Sequence, residues 1–231
     1  MNQSINKSLE LSRNKAAIVA AIGLIGNIIF AVVALMMIPE IITNGDIAAV
    51  ISDIIASEQQ FRLAICLLVL NVIADIIVFW ALYYFLRPIS NSLSLLAVLF
   101  GIMHAVVGLS AVNNLTNILH MIDITASGSM VSADMFQLQA ATMISAFHWA
   151  WQAGMVMFGV HLIFRGCLLF KAGYMKKWLG VIILVVAAGY LVDGFGQILI
   201  SGYDSLSGYV GALEAVLVIW LLVKGRKIEN V

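Results

Sequence analysis

Six stretches of the chain, at residues 16–38, 61–86, 93–119, 143–169, 177–200 and 208–223, are built almost wholly of apolar side chains. Each supplies close to the ~20 residues that a hydrocarbon core ~30 Å thick demands of a helix rising ~1.5 Å per residue. None alternates apolar and polar residues with the period of two that a barrel strand needs. Only helices and closed barrels satisfy their backbone groups inside lipid. The sequence therefore predicts an all-α, polytopic transmembrane helical bundle of about six spans over residues 16–223. Residues 1–15 and 224–231 flank it as short polar segments.

Composition agrees. Apolar residues make up 63% of the chain and charged residues 10%, with a mean hydropathy of +1.06. A soluble domain carries roughly a quarter of its residues charged, so this balance implies a lipid bilayer as the surrounding medium. The formal net charge is zero and no basic stripe is present, which argues against a nucleic-acid partner. Lys7, Arg13 and Lys15 lead into the first apolar run in the manner of a signal peptide. That run is too long for a signal h-region and long enough to span, so an uncleaved first helix is expected. Cys66 and Cys167 are expected on opposite sides of the membrane, with no disulfide between them.

The loops predict an orientation. Lys7, Arg13, Lys15, Arg87, Arg165, Lys171, Lys176, Lys177, Lys224, Arg226 and Lys227 all fall at one side of a six-span topology. The positive-inside rule makes that side cytoplasmic, with both termini there and the chain in a bacterial cytoplasmic membrane. The opposite loops hold Glu40, Asp46, Asp53, Glu58, Asp123, Asp134 and Asp204, with Arg62 the one basic residue nearby. Two of these outer segments carry helical patterns. Asp46 is placed to cap a short amphipathic helix bearing Ile47, Val50, Ile51 and Ile54 on one face. Residues 132–141 are expected to be helical and to run on into the fourth span.

Polar groups inside the spans are costly, at roughly 2.5–3.5 kcal/mol for a charge at the bilayer centre, so they are expected to face the bundle interior. Asn71 and Asp75, His148 and Gln152, and Asp193 and Gln197 are three i,i+4 pairs, each stacked on one helix face. With Glu214 they define a candidate ligand-binding pocket in the outer half of the bundle. Asp193 and Glu214 fall roughly 9–11 Å below the outer helix ends by residue count, and no lysine or arginine is expected at that level. A small molecule or a cation is the ligand such a carboxylate-rich pocket suggests. The same residues could instead hydrogen-bond across helices simply to hold the bundle together, at roughly 0.6–2 kcal/mol each.

Two cofactor readings compete with the pocket. His148, Asp193 and Glu214 are a possible metal set, although they come from scattered helices without a ligand spacing. His104 and His161 sit nearly level toward the inner half, as a bis-histidine haem would require. No CxxCH, HExxH, Walker or GxSxG pattern is present, so no catalytic residue is assigned.

A family resemblance covers most of the chain from the second span onward. It is carried by FRL at 61–63, Asp75 followed by LYYFLRP at 82–88, and FGVHLIFRGCLLFKAG at 158–173. It continues with LGV at 179–181, GYLVD at 189–193, and Glu214 followed by WLLVKG at 220–225. In these the chain resembles bacterial integral membrane proteins classed as a domain of unknown function, DUF4386. Residues 175–177 depart from the pattern, which has a proline there. The resemblance implies a six- or seven-helix bundle in the cytoplasmic membrane and brings no activity with it. Three functions stay open at this point: binding or transport of a small ligand or ion, a metal- or haem-dependent intramembrane enzyme, and a structural subunit of a membrane complex.

Overall fold

The computed structural model describes residues 11–38, 47–126, 132–206, 211 and 213–225. Among the described residues there are seven helices and no strand, in the order α1 (Arg13–Met37), α2 (Ile47–Ala56), α3 (Glu58–Leu86), α4 (Asn91–Ala126), α5 (Ala133–Lys171), α6 (Lys177–Leu199) and α7 (Ala215–Val223). Five of them, α1 and α3 to α6, are long and apolar enough to cross a membrane. The fold is all-helical, as the apolar runs require. The sixth expected span is represented by α7, and residues 207–210 and 212 before it lie outside the described residues.

These helices are apolar over most of their surface, which a chain solvated by lipid permits. Ile22, Val106, Trp149, Val185 and Ile219 are all exposed. In water such side chains would be an aggregation hazard, whereas in lipid they are the solvated face.

The two outer-segment helices form where the pattern placed them. In α2, Ile54 is buried in a cluster against which Val50 packs, and Ile51 is buried with Phe136 and Ala140. Asp46, the expected cap, lies outside the described residues. Helix α5 begins at Ala133 and continues unbroken for 39 residues to Lys171, so residues 132–141 do run into the fourth span.

The chain divides into two compact units. One comprises residues 1–25, 74–104 and 155–231, and the other residues 26–73 and 105–154. The second unit has a core of Ile54, Phe61, Leu68, Leu115, Ile118 and Phe147 among others. Its polar edge is held by Arg62, which donates from Nε to Glu58 at 2.6 Å and from Nη2 to Asp123 at 3.0 Å. Asp123 is exposed and Arg62 and Glu58 half-exposed, so the bridge contributes little to stability.

In the first unit, α5 and α6 approach until backbone meets backbone. A Cβ added at Gly180 would stand 2.5 Å from the Phe170 nitrogen, 2.7 Å from its Cα and 2.8 Å from the Gly166 carbonyl oxygen. Small residues at helix contacts do this work in membranes, where dispersion contacts replace the hydrophobic effect as the driving force.

Candidate functional site: a buried polar cluster in the first unit

Five chain elements of the first unit bring titratable side chains into its apolar interior: Asp75 from α3, His104 from α4, His161 and Arg165 from α5, Tyr190 from α6, and Glu214 just before α7. Phe158 is the hub. Its ring lies 4.9 Å from the His104 ring, 5.7 Å from the stacked His161 ring and 5.4 Å from the edge-on Tyr190 ring. The Phe79 ring closes over His161 at 4.6 Å.

Each polar group has a definite role. His104 Nε2 faces Asp75 Oδ2 at 3.7 Å, a charge-assisted contact when the imidazole is protonated. His161 Nδ1 is 2.6 Å from the Ala97 carbonyl oxygen. A carbonyl only accepts, so Nδ1 carries the proton and donates it. Nε2 of the same ring is buried with no hydrogen-bond partner among the described residues. Tyr190 donates its phenolic proton to Glu214 Oε1 at 3.0 Å.

Arg165 corrects the reading of the sequence. The distribution of basic residues groups it with the cations of the loops, and no lysine or arginine is expected at the level of Asp193 and Glu214. The Arg165 side chain is instead 1% exposed, and Nε, Nη1 and Nη2 have no hydrogen-bond partner among the described residues. The spacing from His161 explains the placement, since residues four apart on a helix share a face and His161 is 2% exposed. Glu214 is the carboxylate whose charge acts on this guanidinium. Ser94, also buried, leaves its hydroxyl without a partner among the described residues. Ser94, His161 and Arg165 line one cavity of about 10 Å³ with Phe79, Leu82 and Ala97.

The seven residues expected to form a pocket distribute between the units. Asp75, Asp193, Gln197 and Glu214 belong to the first, and Asn71, His148 and Gln152 to the second. In the second unit, Asn71 donates to the Asn27 carbonyl at 3.2 Å, and His148 meets the Phe147 ring edge-on at 5.2 Å. The Gln152 side-chain oxygen is buried and has no partner among the described residues. In the first unit, Asp193 is buried as expected, but its carboxylate is spent on the chain that follows α6. Oδ2 accepts from the Ser205 hydroxyl at 2.8 Å and Oδ1 from the Leu206 N–H at 2.7 Å.

The cofactor readings gain no support from this geometry. Among the described residues no group of three or more histidine, cysteine and carboxylate side chains is placed to hold a metal. His104 and His161 do share one neighbourhood, but His104 turns Nε2, the nitrogen that would ligate iron, toward Asp75. Both cysteines are free.

The roles of Ser94, Tyr190 and Arg165 are not read from the sequence, nor is that of Phe158, whose ring meets those of His104, His161 and Tyr190. For Arg165 and Tyr190 a signal existed: Arg165 is four residues from His161, and Tyr190 is three from Asp193, so each shares a face with a polar group already singled out. Ser94 had none.

Comparison with known proteins adds a family. The family model described as Domain of unknown function (DUF4386) matches residues 19–225. An uncharacterized protein of Archaeoglobus fulgidus is 32% identical over 163 residues, covering 70% of this chain and 83% of its own length. That relative is archaeal, so the family is not a mark of bacterial origin. No solved structure matches the chain.

Proposed function

We propose that this chain, which belongs to the DUF4386 family, is a multi-pass membrane protein that binds or moves a small ligand or ion at the buried polar cluster of its first unit. One observation carries the reading: a fully buried guanidinium with all three nitrogens unpartnered among the described residues, beside a histidine nitrogen in the same condition. Burying a charge costs several kcal/mol unless partners repay it, so a bundle that needed only mechanical strength would place an apolar side chain there. Hydrogen-bonded asparagine or glutamine would serve as interhelical glue at far lower cost. Intramembrane ionisable groups mark ligand and ion pathways, and here Asp75, His104, His161, Arg165 and Glu214 lie within one unit. Asn71, His148 and Gln152 of the second unit, with Asp193 and Gln197, remain part of the proposal as polar groups along the same helices. The membrane is the cytoplasmic one, with both termini on its inner side, as the distribution of basic residues implies.

The test is a solute screen on the purified chain. Small ions, organic acids and amines are ranked by their effect on thermal unfolding, and the active ones are then assayed for flux in proteoliposomes. At least one solute should raise the unfolding midpoint of the wild type and lose that effect in Arg165→Met. A screen in which no solute acts, or in which every effect survives Arg165→Met, rules the reading out.

A further inference from the structure

The cavity beside Arg165 specifies a class of ligand, an inference that rests on the reading just given and goes further in naming what is held. Its polar lining is a guanidinium, a serine hydroxyl and one imidazole nitrogen, all buried and all without hydrogen-bond partners among the described residues. Arginine offers five N–H donors and no acceptor, and a hydroxyl can turn its proton toward whatever faces it. The rest of the wall is apolar, from Phe79, Leu82 and Ala97 among others, save Tyr83, whose hydroxyl donates to Asn91. Among the described residues no carboxylate lines it. A cation therefore meets Arg165 with no acceptor carboxylate in the cavity wall to hold it, Glu214 acting on the guanidinium only from outside that wall. A neutral apolar ligand would leave every donor unsatisfied. At about 10 Å³ the space is at the lower limit for one water, so a monatomic anion is the largest that fits, and chloride needs the lining side chains to give way slightly.

We propose that Ser94, His161 and Arg165 form a site for a single small anion of halide size, taken up together with a proton. The proton follows from the histidine. Its Nδ1–H is committed to the Ala97 carbonyl, so Nε2 is the nitrogen left to serve the cavity. In the neutral ring Nε2 is a lone pair that repels an anion. A proton there makes it a second cationic donor, and the anion then accepts from Arg165, Ser94 and His161 at once.

The other charged or titratable groups around His161 are Asp75 on α3, His104 on α4, Arg165 on its own helix, Tyr190 on α6, and Glu214 before α7, with Tyr83 at the cavity wall. Asp75 is engaged with His104, and Glu214 accepts from Tyr190. Neither carboxylate is hydrogen-bonded to Arg165, which leaves the guanidinium to the anion.

The experiment titrates the full-length chain, purified in detergent, with chloride against gluconate at constant ionic strength. Tryptophan fluorescence reports thermal unfolding. Saturating chloride should raise the midpoint by about 5 °C, the shift expected of a ligand well above its Kd on a chain of this size. The apparent chloride affinity should tighten as pH falls. Arg165→Met should abolish the shift, and Ser94→Ala should weaken chloride about tenfold. His161→Gln should remove the pH dependence, whereas His104→Gln should keep it. Arg165→Lys, which retains charge and foldability, should keep a weaker shift, so that loss in Arg165→Met is not mistaken for misfolding. Equal effects of chloride and gluconate overturn the anion site, as does chloride binding that is independent of Arg165. A pH dependence that survives His161→Gln overturns the proton coupling. If chloride is inert but another solute stabilises the wild type through Arg165, the anion inference falls and the broader functional reading stands. If nothing acts through Arg165, both fall.

Discussion

A guanidinium 1% exposed, without a hydrogen-bond acceptor among the described residues, is a stability cost that the surrounding packing must carry. Methionine has nearly the length of arginine and no charge to desolvate. Arg165→Met in chloride-free buffer should therefore unfold at the wild-type midpoint or above it. A midpoint lower by ~5 °C or more would mean that the guanidinium is fully paired. Phe158 makes the opposite prediction, since its ring touches His104, His161 and Tyr190 together. Phe158 is only half-buried, so Phe158→Ala should cost less than the roughly 3–5 kcal/mol of a fully buried ring but still lower the midpoint, while Phe158→Leu should cost less again, in proportion to the retained volume. At this scale the sequence was partly legible. Asp75, His104, His161 and Glu214 announce themselves because an ionisable residue inside an apolar run has few places to point. Arg165 does not, because an arginine near a helix end is also what topology alone would put there. Ser94 is a common residue near a helix start, and only packing distinguishes it from a capping serine.

The elements were legible in outline because lipid leaves the chain few options. A long apolar run must be a helix, and α1, α3, α4, α5 and α6 occupy the runs predicted for them. Which helices touch, and where, was not, since that depends on the shape of facing surfaces rather than on hydropathy. Gly180 illustrates this. As one of 18 glycines it is marked only by its place in LGV at 179–181, which says nothing of packing, yet a Cβ there would meet the backbone of Phe170. Gly180→Ala forces α5 and α6 apart, and overpacking of this kind costs about 1–3 kcal/mol. The expected result is a midpoint several degrees lower, with the neighbouring change at the exposed Val181→Ala producing almost none. Asp193 makes a second element-scale case, because it ties the segment after α6 back to that helix through Ser205 and Leu206. Asp193→Ala removes the carboxylate that accepts from Ser205 and Leu206, and since both donors lie at exposed residues the cost should stay near the roughly 0.5–1.5 kcal/mol net of an ordinary hydrogen bond each. Limited proteolysis of the variant in detergent should then cut within residues 200–206, where the wild type resists. Asp193→Asn, which retains one acceptor oxygen, should fall between the two.

For the whole molecule, the decisive quantity is the parity of the spans. Five helices are long enough to cross by themselves, and α7 has nine described residues, a rise of only ~14 Å. With five spans the termini would lie on opposite sides, and with six on the same side. The sequence favours six, because residues 208–223 form one further apolar run and Lys224, Arg226 and Lys227 follow it directly. Those three cations cannot cross a hydrocarbon core cheaply, and with a C-terminus on the inner side they would share it with Arg13, Lys15, Arg87, Lys171, Lys176 and Lys177. A C-terminus on the outer side would leave them as the one basic cluster opposite the acidic loops. Three reporter fusions decide the matter: one before Arg13, one within residues 122–132 and one after Val231. The first and third should give the cytoplasmic signal and the second the opposite one. If the third matches the second, residues 208–223 do not cross, and the five long helices are the whole transmembrane complement.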